Sequence, residues 1–207
     1  KPSIQILSSD GSLLRQTLAG GQGGKQKLIT LNEVSSEFIK LLLSTEDRRF
    51  HHHAGIDPFA LARAVKLNLA QHKTVSGAST LTMQVARRAL NGRRHLTQKI
   101  KEAVLALYLE MAMSKEEILT YYLNHLPFSN EIYGIGQASE VYFNKQPKDI
   151  SLAESALLLA IIRAPTVYNP YKKLDEVVVI QRRILKQYAL HLPDMQKAVD
   201  DALDESV

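Results

Sequence analysis

Apolar side chains recur along most of this chain at the three- and four-residue spacing of helices. Val34, Phe38 and Leu41 share one helical face and lead into the polar string Ser44-Thr45-Glu46-Asp47. The same spacing predicts further helices that start near Asp57, Ser79, Thr97, Ser114 and Ser151, and two closing helices over 175–190 and 194–203. The pattern therefore predicts a mainly α fold.

Several of these helices carry recognisable start signals. Pro58 suits a first helical turn and Asp57 suits its cap, with Leu61, Val65 and Leu69 expected as the buried stripe. Leu61 and Leu69, together with Phe59 and Leu67, could instead form a membrane-facing patch. Two segments fit the capping box, in which a serine and a glutamate three residues later satisfy each other's backbone groups. They are Ser114 to Glu117 and Ser151 to Glu154.

Strand signals are confined to the first thirty residues. Asp10-Gly11 between two apolar stretches predicts a β-hairpin, and the glycines between 20 and 24 predict a connector. We therefore expect an N-terminal hairpin-like linker over 1–30 and one main domain over 31–207.

Composition narrows the function classes. The chain has no cysteine, which excludes disulfides, cysteine-ligated zinc and cysteine nucleophiles. The net charge is +5, and six cations lie close together, which suits an anionic partner (nucleic acid, a phosphorylated ligand or an anionic membrane) and equally a solvated helical face without a ligand. These cations are Arg87, Arg88, Arg93, Arg94, Lys99 and Lys101. No apolar run approaches the length of about 18 residues that a membrane span needs.

Two polar clusters are candidates for chemistry. Glu46 and Asp47 follow an apolar helix and precede Gly55, where a carboxylate could act as a general base. Taken in isolation, the string is better explained by an N-terminal cap with surface ion pairs. The adjacent histidines 51–53 diverge too much to share one metal ion. The hydroxyl-rich stretch 75–84 enters a helix, and Lys99 and Glu102 share a helical face. These features suit either an anion site or ordinary capping and a surface ion pair.

Four segments of the sequence, taken in their order along the chain, resemble the signatures of a known family. The stretches are Glu46-Asp47-x-x-Phe50-x-x-His53-x-Gly55, then Gly77-Ala78-Ser79-Thr80-Leu81-Thr82-x-Gln84, then Lys99-Ile100-Lys101-Glu102, then Lys115 to Ile118 with Tyr122-Leu123-Asn124. They resemble, in order and at familiar spacing, the signatures of the family 51 peptidoglycan glycosyltransferases. That family comprises the polymerase domains of class A penicillin-binding proteins and the monofunctional transglycosylases.

The resemblance implies a reaction and roles for residues. Lipid II would be polymerised into β-1,4-linked glycan with inversion at the anomeric carbon and release of polyprenyl diphosphate. Glu46 would be the base and Glu102 the second catalytic carboxylate, which positions cations or holds a divalent ion. Lys99, Arg94 and Arg87 would bind the diphosphate. The remaining site residues implied are Gln84, Ser79 and Thr80 on the donor side, and Asp47 and His53 in support of the motif's geometry.

The resemblance also implies a fold, a cofactor requirement, a set of partners and a cellular location. The fold would be a lysozyme-like helical lobe with a smaller, membrane-proximal lobe and a short N-terminal β element. No cofactor would be required, with room for a divalent cation (Mg²⁺ or Mn²⁺) near the diphosphate. Partners would be lipid II, the growing glycan strand, the membrane surface and a transpeptidase domain or partner, with no nucleic acid. The location would be the outer face of the bacterial cytoplasmic membrane, with the anchor absent from this sequence.

Some positions depart from the family pattern, and other functions remain open. Met83 replaces a glutamine that many members have, Arg87 replaces a lysine and Gln98 replaces an arginine. The segment from Arg182 to Leu185 only approximates the fifth signature. The alternative is a lytic, glycan-cleaving enzyme of lysozyme-like fold, against which the cationic cluster argues. A nucleic-acid-binding module would leave Glu46 unexplained. Lys99→Ala is expected to weaken donor use strongly and Lys115→Ala only mildly.

Overall fold

The computed structural model describes residues 5–7, 13–16, 25–70, 78–90, 95–128, 132–165 and 167–205. These residues are mainly helical, which confirms the predicted fold class. The helices are α1 (Ser36–Glu46), α2 (Pro58–Ala70), α3 (Leu81–Leu90), α4 (Leu96–Ala112), α5 (Lys115–Asn124), α6 (Ile135–Phe143), α7 (Leu152–Arg163), α8 (Pro170–His191) and α9 (Gln196–Asp204).

Four short strands accompany the helices. β1 (Gln5–Leu7) pairs antiparallel with β2 (Leu13–Gln16), as the predicted N-terminal β element requires. The turn at Asp10-Gly11 and the glycine connector lie outside the described residues. β3 (Lys25–Gln26) pairs in parallel with β4 (Ile132–Tyr133), so the expectation of strands only within the first thirty residues is wrong.

The chain divides into two compact units. The first contains residues 1–45 and 122–207, and the second contains residues 46–121. The predicted boundary between 30 and 31 remains a prediction.

Helix α7 forms the centre of the first unit. Every residue from Ala153 to Ile161 is buried, and α8 and α9 both pack against this helix. A helix that is apolar on all sides is stable only when neighbours cover every face. The side-chain amide of Gln181 on α8 donates to the carbonyl of Ala153, which satisfies a polar group inside this core.

A side-chain amide fastens the N-terminal segment to the first unit. Asn124, at the end of α5, accepts a hydrogen bond from Ile29 N (2.9 Å) and donates one to Ile29 O (2.8 Å). Asn124 is buried, so both pairings stand in for contacts with water.

In the second unit, α3 packs against α4 around a small apolar cluster of Met83, Ala86 and Ala106. The prediction that Leu61, Val65 and Leu69 form the buried stripe of α2 is wrong, because these side chains are at least half exposed. Helical spacing shows which residues share a face, but it does not show which face a neighbour covers.

Most predicted helix starts are confirmed. Asp57 Oδ1 accepts from the backbone N–H groups of Phe59 and Ala60, and both capping boxes form. Two caps are shifted: α4 begins at Leu96, so Thr97 lies inside it, and the hydroxyl that accepts from α3 belongs to Thr80 rather than Ser79. Within the described part of the chain, no helix combines the length and apolar character that crossing a membrane requires.

Candidate active site

The loop after α1 is held by a buried carboxylate. Both oxygens of Asp47 lie within 3.1 Å of His53 Nε2, and Oδ2 also accepts from the backbone N–H of Leu81 (2.9 Å). The side chains of Asp47 and His53 are almost fully buried. One carboxylate thus joins the first signature to the start of α3.

His53 has a defined tautomer in this arrangement. The backbone N–H of Gly55 donates to Nδ1 (3.2 Å), so Nδ1 carries no proton and Nε2 donates to Asp47. Asp47 and His53 therefore shape the loop around Glu46, in line with the supporting role that the resemblance implies.

Thr80 also bonds the start of α3 to the loop that follows α1. Its hydroxyl donates to the carbonyl of Gly55 (2.6 Å) and accepts from the backbone N–H of Met83 (3.1 Å). Thr80 is buried, so these contacts fix the entry to α3 against the loop. Its predicted part in substrate binding remains a prediction.

Glu46 is the last residue of α1 and is half-buried. Gln84, one turn into α3, donates from Nε2 to Glu46 Oε2 at 3.3 Å. This bond orients the Glu46 carboxylate at the end of α1. Its role as the base remains a prediction.

Glu102 has a contrasting environment. It is buried, and Arg87 donates to it from Nε to Oε1 and from Nη2 to Oε2, each at 3.0 Å. Arg87 Nη2 also donates to Ser79 Oγ at 3.4 Å. This two-pronged pairing is the strong form of an ion pair, and it differs from the surface i, i+3 pair that spacing alone suggests.

The other predicted cations differ in what the structure describes. Lys99 lies on the first turns of α4 and is exposed. Arg94 falls outside the described residues. The structure thus brings Arg87, Ser79 and Glu102 together, and Glu46 and Gln84 together, all within the second unit.

Comparison with known proteins decides the family. The family model described as "Transglycosylase" matches residues 10–189. The chain belongs to the transglycosylase family.

The similarity of this transglycosylase chain to curated proteins supports the family assignment. It is 37% identical over 186 residues to penicillin-binding protein 1A of Escherichia coli K12, covering 89% of this chain and 21% of that protein. It is 35% identical over 178 residues to penicillin-binding protein 4 of Bacillus subtilis 168, covering 86% of this chain and 28% of that protein. The chain thus spans less than a third of the length of these relatives.

A solved structure shows the same fold. The crystal structure of penicillin-binding protein 1A from Haemophilus influenzae matches with a TM-score of 0.56 at 19% identity, covering 100% of this chain and 21% of that one. At this sequence identity the match supports the fold and nothing further.

The site residues implied by the family resemblance did not include three polar residues that lie close to one another in this transglycosylase domain. Glu110 Oε1 accepts from Thr82 Oγ1 (2.6 Å) and from Lys115 Nζ (2.7 Å). Lys115 Nζ also donates to the carbonyl of His53 (2.6 Å) and lies 4.5 Å from the centre of the Phe50 ring. Thr82 and Lys115 lie within the second and fourth signatures, but no sequence signal marks Glu110.

A divalent ion remains a prediction. In the part of the chain that the structure describes, no three His, Asp or Glu side chains converge as a set of ligands. Both oxygens of Glu102 are engaged by Arg87. We therefore assign no step of the reaction to a metal.

Proposed function

We propose that this transglycosylase domain is a peptidoglycan glycosyltransferase that polymerises lipid II into β-1,4-linked glycan, with inversion and release of polyprenyl diphosphate. The observation that carries the proposal is the contrast between the two signature carboxylates. Glu46 is half-exposed and oriented by a neutral amide, whereas Glu102 is buried and paired with a guanidinium. One carboxylate is thus suited to proton transfer and the other to holding a cation.

The chemistry needs one in-line displacement. Glu46 takes the proton from the 4-hydroxyl of the acceptor sugar as that oxygen attacks the anomeric carbon of the donor. The bond from that carbon to the diphosphate oxygen breaks on the opposite face, as in inverting glycosidases with a sugar hydroxyl in place of water. Diphosphate is a good leaving group, so stabilising its charge matters more than protonating it.

Cations of the second unit supply the positive charge that stabilises the leaving diphosphate. Glu102 restrains Arg87 from one side, which fixes the direction of the guanidinium and leaves its other donors for a phosphate or for Ser79. Lys99 is exposed and able to reach an incoming anion. For Arg94, a role in binding the diphosphate rests on the family resemblance.

Exposed apolar side chains support work at a membrane surface. Phe59 is 65% exposed on α2 and Met111 is 87% exposed on α4. Further exposed apolar residues of these two helices are Leu61, Val65, Leu67, Leu69, Ile100, Val104, Leu107 and Tyr108. Lipid II carries a polyprenyl tail, so its polymerase has to meet it at the bilayer, and we place this site on the outer face of the bacterial cytoplasmic membrane. Apolar side chains with cations nearby suit such a surface.

The decisive test is incubation of the chain with purified lipid II, followed by gel separation of the products. The wild type should yield glycan strands. Glu46→Gln keeps the side-chain shape and removes the base, so turnover should fall by at least about 100- to 10,000-fold. Glu176→Gln serves as the control, because Glu176 forms an exposed ion pair with Lys173 in the first unit.

Two results would refute parts of the proposal. Polymerisation by Glu46→Gln at near wild-type rate would remove Glu46 as the base. Cleavage of finished glycan by the wild type, without use of lipid II, would favour the lytic alternative instead.

A further inference from the structure

Glu110 is a buried carboxylate that the reaction described above does not use. Its side chain is 7% exposed, and it lies on α4 two turns beyond Glu102. A buried charge is retained only where partners compensate for the lost hydration. The partners of Glu110 therefore indicate what the charge does.

Two donors meet at one oxygen of Glu110. Thr82 Oγ1 donates from α3 at 2.6 Å, and Lys115 Nζ donates from the first residue of α5 at 2.7 Å. The same ammonium donates to the carbonyl of His53 at 2.6 Å. Glu110 therefore connects α3, α4, α5 and the loop that follows Glu46.

Each connection leads to the catalytic base. Thr82 lies two residues before Gln84, so the bond from Thr82 to Glu110 fixes the rotation of α3 that directs Gln84 toward Glu46. Lys115 fixes the backbone at His53, and His53 in turn holds Asp47, the neighbour of Glu46. Both routes position the carboxylate that takes the proton from the acceptor hydroxyl.

We propose that Glu110 is a positioning residue for glycosyl transfer, which acts through Thr82 and Lys115 to hold Gln84 and the loop of residues 47–55 around Glu46. The inference rests on the proposed function. Its near-complete burial and its occupied Oε1 separate Glu110 from groups that touch the substrate. Misplacement of a reacting group by about 1 Å costs on the order of 100-fold in rate.

The experiment compares Glu110→Gln, Thr82→Val, Lys115→Met and the double variant Glu110→Gln/Lys115→Met with the wild type. Glu176→Gln is the matched control, because it removes a carboxylate from an exposed Lys–Glu pair. Polymerisation of lipid II gives kcat and KM, and hydrogen exchange followed by mass spectrometry reports on residues 47–55. All measurements are made well below the melting temperature of each variant, so that loss of folded protein does not contribute.

We expect kcat to fall about 10- to 100-fold in Glu110→Gln and in Thr82→Val, with KM within about twofold of the wild type. Exchange in residues 47–55 should become faster in Glu110→Gln while other segments keep their rates. The double variant should lose little more than the worse single variant, because both side chains act in one network.

Other outcomes overturn the inference. If the wild type polymerises lipid II and folded Glu110→Gln and Thr82→Val keep its kcat, Glu110 holds nothing that the reaction needs, and the proposed function stands. If Glu110→Gln does not fold, Thr82→Val decides alone, since it removes one bond and keeps the shape. If the wild type does not use lipid II, the proposed function fails, and unchanged exchange in residues 47–55 then also refutes the positioning role.

Discussion

Arg87 donates two parallel hydrogen bonds to Glu102, one from Nε to Oε1 and one from Nη2 to Oε2. Glu102 is buried, and the guanidinium is about a third exposed at 29%. The carboxylate of Glu102 thus orients a cation, which agrees with the proposal that Glu46 is the base.

Glu102→Gln should lower the free energy of unfolding by about 1–3 kcal/mol, because the buried partner of a charged hydrogen-bond pair is lost. Arg87→Lys keeps the charge but not the parallel pair, so it should weaken use of lipid II with a smaller loss of stability. Urea unfolding and initial polymerisation rates measure both effects. Glu102→Gln with wild-type stability would show that the pair contributes nothing.

Gly55→Ala should destabilise the second unit by about 2–4 kcal/mol, from left-handed backbone strain together with overpacking. Gly55 has φ +86°, and a Cβ there would lie 2.8 Å from the carbonyl carbon and oxygen of Ala106 on α4. Thermal unfolding measures the change, and Ala54→Ser at the exposed neighbouring position is the control. Equal melting temperatures for both variants would mean that α4 does not press against this loop.

Tyr188→Phe should leave stability unchanged or raise it by about 1 kcal/mol near neutral pH. The hydroxyl of Tyr188 is buried, and no hydrogen-bond partner for it occurs among the described residues. Burial, and secondarily the charge of Glu37, raises the pKa of Tyr188 above its ordinary value of 10.0. The folded state therefore holds this proton more tightly than the unfolded state. The resulting stabilisation is present below the unfolded pKa and is lost as pH rises toward the folded value.

Urea unfolding near neutral pH and at about pH 11 tests both parts of this expectation. The wild type should lose more stability at the alkaline end than Tyr188→Phe does. Tyr171→Phe, at a tyrosine that is 65% exposed, should follow the wild type at both pH values. A large loss of stability in Tyr188→Phe near neutral pH would reveal a partner for the hydroxyl.

Replacement of Phe59 and Leu67 by serine should reduce binding of the chain to anionic vesicles, most clearly at high salt. Both side chains are exposed, and the apolar share of binding survives screening whereas the electrostatic share does not. Flotation at low and high salt measures the effect, with Leu190→Ser in the first unit as the control, because Leu190 is 80% exposed. Absence of wild-type binding even at low salt would remove α2 as a membrane contact.

Local signals predicted much of this fold because helix spacing and capping act within a few residues. Asp57, Ser114 and Ser151 cap helices as their neighbours indicate. The pairing of β3 with β4 joins two-residue strands more than a hundred positions apart, and no local pattern encodes it. The exposed face of α2 was mistaken for a buried one because coverage depends on tertiary packing.

The site was predictable where signature residues bond one another, as Asp47 does with His53. Glu110 was not, because a glutamate on an amphipathic helix has the pattern of a surface residue. The sequence led us to expect only a mild effect for Lys115→Ala. Its contacts with Glu110 and with the carbonyl of His53 favour a larger effect.

The pairing of Asn124 with Ile29 has a practical consequence for how this domain is shortened. A piece that starts at residue 31 would lose both hydrogen bonds that the buried amide of Asn124 makes with the backbone of Ile29. Each lost bond would cost about 0.5–1.5 kcal/mol, which is a large share of the stability of a marginally stable domain. A piece that starts at Lys25 keeps both bonds and the strand β3, so we expect it to be more stable than a piece that starts at residue 31.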